Sequence, residues 1–577
     1  LILLPTSPPK NYKISSAFSY NFILALTEEA AAVRMKKIEK REVMKNAIIL
    51  AAGKSNRFAP FTYERPKGLF RVKGEVLIER QLEQLKAAGI TEIYIVVGYM
   101  KEKFFYLEER YGVKLLVNNT FAAKGNLYSL YVARQFLRDS YICCADHYFT
   151  ENPFLEENPL NQSYRACMYE QGKFREFAVD YSDAGVITTI AVGGESKTAM
   201  VGHAYFNAEF SARFRRFMEA EIQDFGVSGL FWEEFYGKHQ KDLTLYRKGY
   251  DGHGFYEFET IDALRQFDSE FLFNIDSEII TNICKVLQCS PNDIVDINII
   301  QAGLTNVSFS FRVSDIKYVY RHPGSTAGNL IDRQAELFAQ MKAKELGVDR
   351  SVIYMDISGW KISYYVPEIG ECDFEKYPEQ MELAMEYLRR IHGVEVDGPV
   401  KVFDTVGEGK KLMQIASASK GNLFAEFGWL VEKVERLDQY VKEEGDALGL
   451  RKVLCHNDVY EPNYIVTKTG DMYLIDWEYA GLNDPANDLA CIFCRAHYTE
   501  EQIENYLRAY FGREAEPWER RRYIAYIALC GFYWFCWGLY KGSVGDDDGF
   551  FFLPAYRSCV RFVDGALESY QREGEGG

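Results

Sequence analysis

At 577 residues the chain exceeds what one hydrophobic core usually serves, so two or more domains are expected. A composition of 47% hydrophobic and 26% charged residues is that of a globular protein, and a formal charge of -16 argues against a nucleic-acid backbone or an anionic membrane surface as the main partner. The 12 cysteines form no paired CxxC sets, which points to buried free thiols rather than a metal cluster.

The opening "LILLPTSPPK" is too short an apolar run for a signal peptide, and no run reaches the ~18 residues a membrane span needs. The expectation is a cytoplasmic protein with no membrane span; oligomeric state is left open. Residues 1–45 read as an N-terminal extension, disordered or a remnant, because "MKNAIILAAG" from Met44 is a natural domain start.

From residue 46 buried strands alternate with amphipathic helices. "NAIILAA" is a strand ended by Gly53, "LIERQLEQLKAAG" a helix with a glycine C-cap, and "EIYIVVGY" the next strand. "KEKFFYLEERYG" (helix), "VKLLVNN" (strand), "NLYSLYVARQFL" (helix) and "SYICCAD" (strand) continue the pattern. This alternation predicts an α/β domain over 46–268 with a mostly parallel, Rossmann-like sheet. Residues 269–577 have another texture: "INIIQAGLTNVSFSFRV" and "KYVYRHPG" read as a β-hairpin, and from about residue 380 the chain is mainly helical. A bilobal α+β domain is expected there.

In the first domain Ala51, Ala52 and Gly53 form a turn after a strand, where backbone N–H groups can approach phosphates. Arg57 and Lys67 supply positive charge around that turn, as attack on an α-phosphate requires. Asp146 ends its strand where it can hold magnesium.

In the second domain "HNDVYEPN" places Asp458 to accept a substrate hydroxyl proton, and Asn463, five residues on, to reach magnesium. Asp476 in "LIDWEYAG" can hold magnesium between phosphates. Trp534 and Trp537, three apart on a helix, and Trp477 and Tyr479 beside the magnesium acid offer aromatic faces for a cation.

The ensemble "LAAGKSNRF", "RPKGLFRVKGEVLIERQLEQL" and "CADHYFTENPF" resembles the sugar-phosphate and phosphocholine nucleotidyltransferases. "NLYSLYVA", "MVGHAYFN", "FWEEFY" and "YEFETIDALRQFD" narrow this to similarity with bacterial CTP:phosphocholine cytidylyltransferases. That resemblance implies CTP and phosphocholine as substrates, Lys67 and Arg57 on the triphosphate, and Asp146 with Glu259 on magnesium. Glu259 stands where the family usually has Asp, and Ser55 and Asn56 replace the family's second loop glycine and the Ser/Thr after it. Trp232 and Glu233 are candidates for the choline end.

The second domain resembles the aminoglycoside phosphotransferase and choline/ethanolamine kinase superfamily. "GLTN" at 303–306 followed by "YVYRHPG" is similar to the choline kinase branch. This implies nucleotide contacts from Thr305 and Asn306, Arg321 in place of the ATP-binding lysine, and Glu336 orienting it. It also implies that Asp488 ties down the catalytic loop, and that choline and ATP are substrates. The expected whole is a bifunctional enzyme making CDP-choline. Ethanolamine in place of choline, or a sugar kinase joined to a sugar-1-phosphate nucleotidyltransferase, are the alternatives.

Overall fold

The structure, a computed structural model, describes residues 45–250, 254–300, 307–323, 331–398, 400–544 and 549–574. All but the last residue of the 1–45 extension lies outside this set, as do Thr305 and Asn306. The chain divides into two compact units between Thr281 and Asn282.

The first unit is built on a seven-stranded sheet. In chain order its strands are β1 (Asn46–Ala51), β2 (Glu92–Val97), β3 (Lys114–Val117), β4 (Ser140–Cys144), β5 (Tyr164–Tyr181), β6 (Ile187–Phe206) and β7 (Tyr246–Gly249). Their order in space is β7-β5-β6-β4-β1-β2-β3. The β4-β1-β2-β3 half is parallel, and β6 joins it antiparallel to β4. Alternation along β1 explains why the run is apolar throughout. Ile48 and Leu50 enter the core on one face, and Ala47 and Ile49 enter the core on the other. Helix α1 (Leu77–Ala87) covers the second face with Ile78, Leu82 and Leu85, at helical spacing. Helices α2 (Asn126–Val132) and α3 (Ala208–Glu221) cover the first.

This unit continues past Asp268. Phe271 lies edge-on to Phe61 at 5.5 Å, and Ile279 N donates to Glu64 at 3.1 Å, so residues up to Thr281 belong to the first core.

The second unit begins with an antiparallel five-stranded sheet: β8 (Ile294–Ile300), β9 (Val307–Val313), β10 (Ile316–His322), β11 (Val352–Met355) and β12 (Lys361–Tyr364), ordered β8-β9-β10-β12-β11. Helix α4 (Arg333–Glu345) follows β10 in the chain. The helical lobe has one large core into which α5 (Pro485–Cys494), α6 (Pro517–Ser543) and α7 (Gly549–Gly574) all pack. Helix α6 is long and apolar enough to cross a membrane by composition, a stretch the expectation of no spanning run overlooked. Its residues Phe532 to Trp537 are all buried within the unit, as befits a helix apolar on every side at the centre of a core. Gly531 lets α7 approach: a Cβ there would lie 2.8 Å from the Ala555 carbonyl oxygen.

Candidate active sites

In the first unit a cavity of about 360 Å³ opens beyond the carboxyl ends of the parallel strands, where ligands of such sheets bind. Ala51, Ala52 and Gly53 from the turn after β1 line it, with Lys67, Asp146 and the N-terminus of α2 at Gly125 and Asn126. Lys67 is only 5% exposed. Its Nζ donates to Asp146 Oδ2 and to the Phe258 carbonyl, both at 2.7 Å, and lies 4.3 Å from the Phe58 ring centre. Gly68 permits this fit, since a Cβ there would stand 2.7 Å from that of Ala145. Burial by itself would raise the pKa of Asp146, but Lys67 and His147 outweigh it and hold the carboxyl at about 2.

Arg57 and Glu259 are not in that lining. They pair with each other at 2.5 Å, about half exposed. Glu257, two residues before Glu259, lines the cavity instead, 3.6 Å from His147. Burial opposes ionisation of Glu257, yet the neighbouring His147 keeps it below the usual carboxylate range. Trp232 does not offer a ligand face. It is 2% exposed, set edge-on to Phe206, and the Arg165 guanidinium already lies 5.5 Å from its ring centre. Glu233 is buried 3.3 Å from Arg165, and burial pushes its carboxyl up. The aromatic side chains that do line the cavity are Phe121 and Phe231.

In the second unit the loop that carries Asp458 is held by α5. Asp488 accepts from the backbone N–H groups of His456 (2.9 Å) and Asn457 (2.6 Å), and contacts His392 Nε2 at 3.0 Å. Asn457 has φ +63°, a left-handed conformation that its side-chain bonds to Asn483, Asn487 and the Tyr479 carbonyl maintain. Asp458 follows, buried, with Oδ2 accepting from Asn463 Nδ2 at 3.0 Å and Oδ1 accepting from Arg495 at 2.5 Å. Burial raises the Asp458 pKa above its ordinary value, against the pull of Arg495 and His456.

Arg321 on β10 is buried and held by three acceptors. It is ion-paired with Glu336 on α4, donates to the Gly359 carbonyl at 2.8 Å, and reaches Asp476 at 3.3 Å. Asp476, two residues past the end of the strand Met472–Leu474, has φ +67°, a left-handed conformation.

The four aromatic candidates separate. Trp477 is fully buried, its Nε1 donating to the Leu474 carbonyl at 3.0 Å and its ring against His456, so it is a core residue and no part of a cage. Tyr479 and Trp537 are joined by a 3.1 Å hydrogen bond and line a pocket of about 250 Å³ together with Tyr533, Glu408 and Glu478. Trp534 is buried beside them, and the Arg495 guanidinium lies 3.7 Å from its ring centre. Tyr533, Glu478 and Arg495 were missed in the sequence. Arg495 directly follows "CIFC" and lies seven positions beyond Asp488, two helical turns along the same face, which was the available signal.

These geometries define a nucleotidyltransferase unit followed by a kinase-like phosphotransferase unit. Residues 47–161 match the MobA-like NTP transferase domain family, and residues 297–524 match the phosphotransferase enzyme family. The 2-aminoethylphosphonate cytidylyltransferase of Lancefieldella rimae is 35% identical over 40% of this chain and 94% of its own. The choline-phosphate cytidylyltransferase of Streptococcus pneumoniae is 33% identical over 38% of this chain and 96% of its own. The crystal structure of choline kinase LicA from Streptococcus pneumoniae aligns at 24% identity with a TM-score of 0.42, over 50% of this chain and 98% of that one. Through its first unit the chain belongs to the cytidylyltransferase family, and its second unit is a kinase-like phosphotransferase domain.

Proposed function

We propose that the second unit phosphorylates choline with ATP, and that the first transfers CMP from CTP to the resulting phosphocholine, giving CDP-choline and pyrophosphate. The observation that carries this is the pocket of Tyr479, Tyr533, Trp537, Glu408 and Glu478, lined also by Asp332, Lys401 and Lys411, where the Tyr479 carbonyl accepts from Asn457 of the Asp458 loop. A quaternary ammonium donates no hydrogen bonds, so aromatic faces and diffuse negative charge are what it requires.

In the kinase step the choline hydroxyl hydrogen-bonds Asp458, whose burial raises its proton affinity. The oxygen attacks the γ-phosphorus, ADP leaves, and the proton passes to Asp458. Arg321, fixed by Glu336, aligns the phosphates of ATP. In the second reaction phosphocholine is already an anionic nucleophile and needs no base. An oxygen of it attacks the α-phosphorus of CTP, while Lys67 receives the charge of the departing pyrophosphate. Oxygen-rich carboxylate and amide sets suit magnesium. Asp146 and Glu257 would hold it in the first unit and Asn463 and Asp476 in the second, where it supplies charge neutralisation on the phosphates. For Arg57 to reach the triphosphate it must part from Glu259, its partner outside the cavity lining. Joining the units raises the local concentration of phosphocholine. A cytoplasmic setting, with both nucleotides at hand, fits this chemistry.

The 35% identity to a 2-aminoethylphosphonate cytidylyltransferase favours a second reading, in which the first unit takes a phosphonate. The adjoining kinase unit weighs against it, because phosphorylating a hydroxyl makes a P–O bond and never the C–P bond of a phosphonate. Mass spectrometry after incubation with CTP, magnesium and either phosphocholine, phosphoethanolamine or 2-aminoethylphosphonate separates these. The proposal expects phosphocholine to be consumed fastest, and it fails if the phosphonate is preferred.

A further inference from the structure

Arg495 has no part in the chemistry above, yet it touches the base. It caps the C-terminal end of α5. Its Nη2 donates to Asp458 Oδ1 at 2.5 Å, and its guanidinium lies 3.7 Å and 4.0 Å from the ring centres of Trp534 and Tyr460. The side chain is 10% exposed. Two rings and one carboxylate thus fix the orientation of its fork. The other terminal nitrogen, Nη1, is buried and has no acceptor among the described residues. A buried charged donor left unpaired is costly, so its acceptor is expected from a ligand.

Two ligand groups must come to this spot. The acceptor hydroxyl lies on Asp458, because that is where its proton goes. The γ-phosphoryl lies beyond that hydroxyl, roughly in line with it. Choline has no hydrogen-bond acceptor besides its hydroxyl, so the group left to meet Nη1 is a γ-phosphoryl oxygen. We propose that Arg495 is a catalytic residue of the kinase unit, holding Asp458 with Nη2 while Nη1 binds the γ-phosphoryl group in transit. As the bond from the acceptor oxygen to the γ-phosphorus forms and the bond to the β–γ bridging oxygen breaks, charge spreads over three equatorial oxygens. ADP takes the bonding electrons, the hydroxyl proton goes to Asp458, and Arg495 neutralises part of the equatorial charge throughout. A planar fork can serve two acceptors in fixed directions, which a lysine ammonium does less well.

This rests on reading the second unit as a kinase, and the test separates the two. The intact chain and its Arg495→Met and Arg495→Lys variants are assayed with ATP, magnesium, and choline or ethanolamine. Arg495→Met is expected to lower kcat by about 10²–10³ with both KM values within about threefold, the mark of a contact made mainly in the transition state. Arg495→Lys is expected to fall between. Binding of ADP–aluminium fluoride, a mimic of the phosphoryl in transit, is expected to weaken at least tenfold in Arg495→Met while binding of ADP stays unchanged. If the unaltered chain phosphorylates neither alcohol, the substrate assignment fails, and the two nucleotide-binding measurements still decide the role of Arg495. An unchanged kcat with an altered choline KM overturns the proposal and moves Arg495 into the acceptor pocket. Equal weakening of both nucleotide complexes overturns it as well. Should Arg495→Met not fold by circular dichroism, an Arg495→Lys kcat at the unaltered level is the contradicting result.

Discussion

The two units hold a buried cation in similar ways but treat their carboxylates oppositely. Lys67 and Arg321 are each anchored by an acid (Asp146, Asp476) and a backbone carbonyl (Phe258, Gly359). Near Lys67 the carboxyl of Asp146 is held at about 2, whereas burial lifts that of Asp458 in the kinase cleft. On the proposed function, the difference follows from the nucleophile. A phosphate monoester arrives already charged, so the first site needs only positive charge; a neutral alcohol must lose a proton, so the second needs a base of raised proton affinity.

The largest expected effects break the comparison at one site and leave the other. Asp458→Asn should lower choline phosphorylation by about 10³ or more, in the range general-base loss produces, while CMP transfer to supplied phosphocholine persists. Lys67→Ala should lower CMP transfer by about 10² or more and spare the kinase. Parallel loss of both activities in either folded variant would contradict separate sites.

A next, smaller effect sharpens the contrast between point charge and fork. Arg321→Lys keeps one charge but loses the planar fork that serves Glu336, Gly359 and Asp476 in fixed directions, so KM for ATP should rise about tenfold. An unchanged KM would mean that Arg321 is structural.

The tryptophans divide next. Trp537→Leu should raise choline KM several-fold, by the loss of roughly 0.5–2 kcal/mol of ring–cation attraction, with little change in melting temperature. Trp477→Leu should do the reverse, lowering stability by about 2 kcal/mol through lost core packing while choline KM holds. Thermal melts beside steady-state kinetics check both.

The smallest effect is in pH. Both acids act ionised, so each activity falls as pH drops through the relevant pKa. The acid limb of the kinase's kcat/KM should lie above the ordinary Asp value, because the Asp458 pKa is raised. Asp146, at about 2, should contribute no limb to CMP transfer in the usual assay range. A coincident acid limb in both profiles would dissolve the distinction.

Which of these parts the sequence disclosed follows from how local each is. Asp458 and Asn463 share one loop, so spacing alone discloses that pair, whereas the pairing of Arg321 with Glu336, 15 residues on in the next helix, was legible only through the resemblance to choline kinases. Parallel strands were readable because burial on both faces leaves unbroken apolar runs. The long β5–β6 ribbon was not, since polar and glycine residues interrupt it along its exposed length. Arg495 meets Asp458 across 37 residues, and Arg57 meets Glu259 across 202, contacts that only tertiary folding makes. Helical spacing put Trp534 and Trp537 on neighbouring turns, but the middle of α6 is apolar and buried all round, so periodicity could not tell the ring that lines the pocket from a packed one.

The most direct test of the two-step account is phosphorus NMR of one sample holding the intact chain, choline, ATP, CTP and magnesium. Phosphocholine should appear first and decline as CDP-choline and pyrophosphate grow. In the Asp458→Asn chain both signals should be absent until phosphocholine is added, after which CDP-choline alone recovers. CDP-choline formed without ATP, or phosphocholine that accumulates and is never converted, would contradict it.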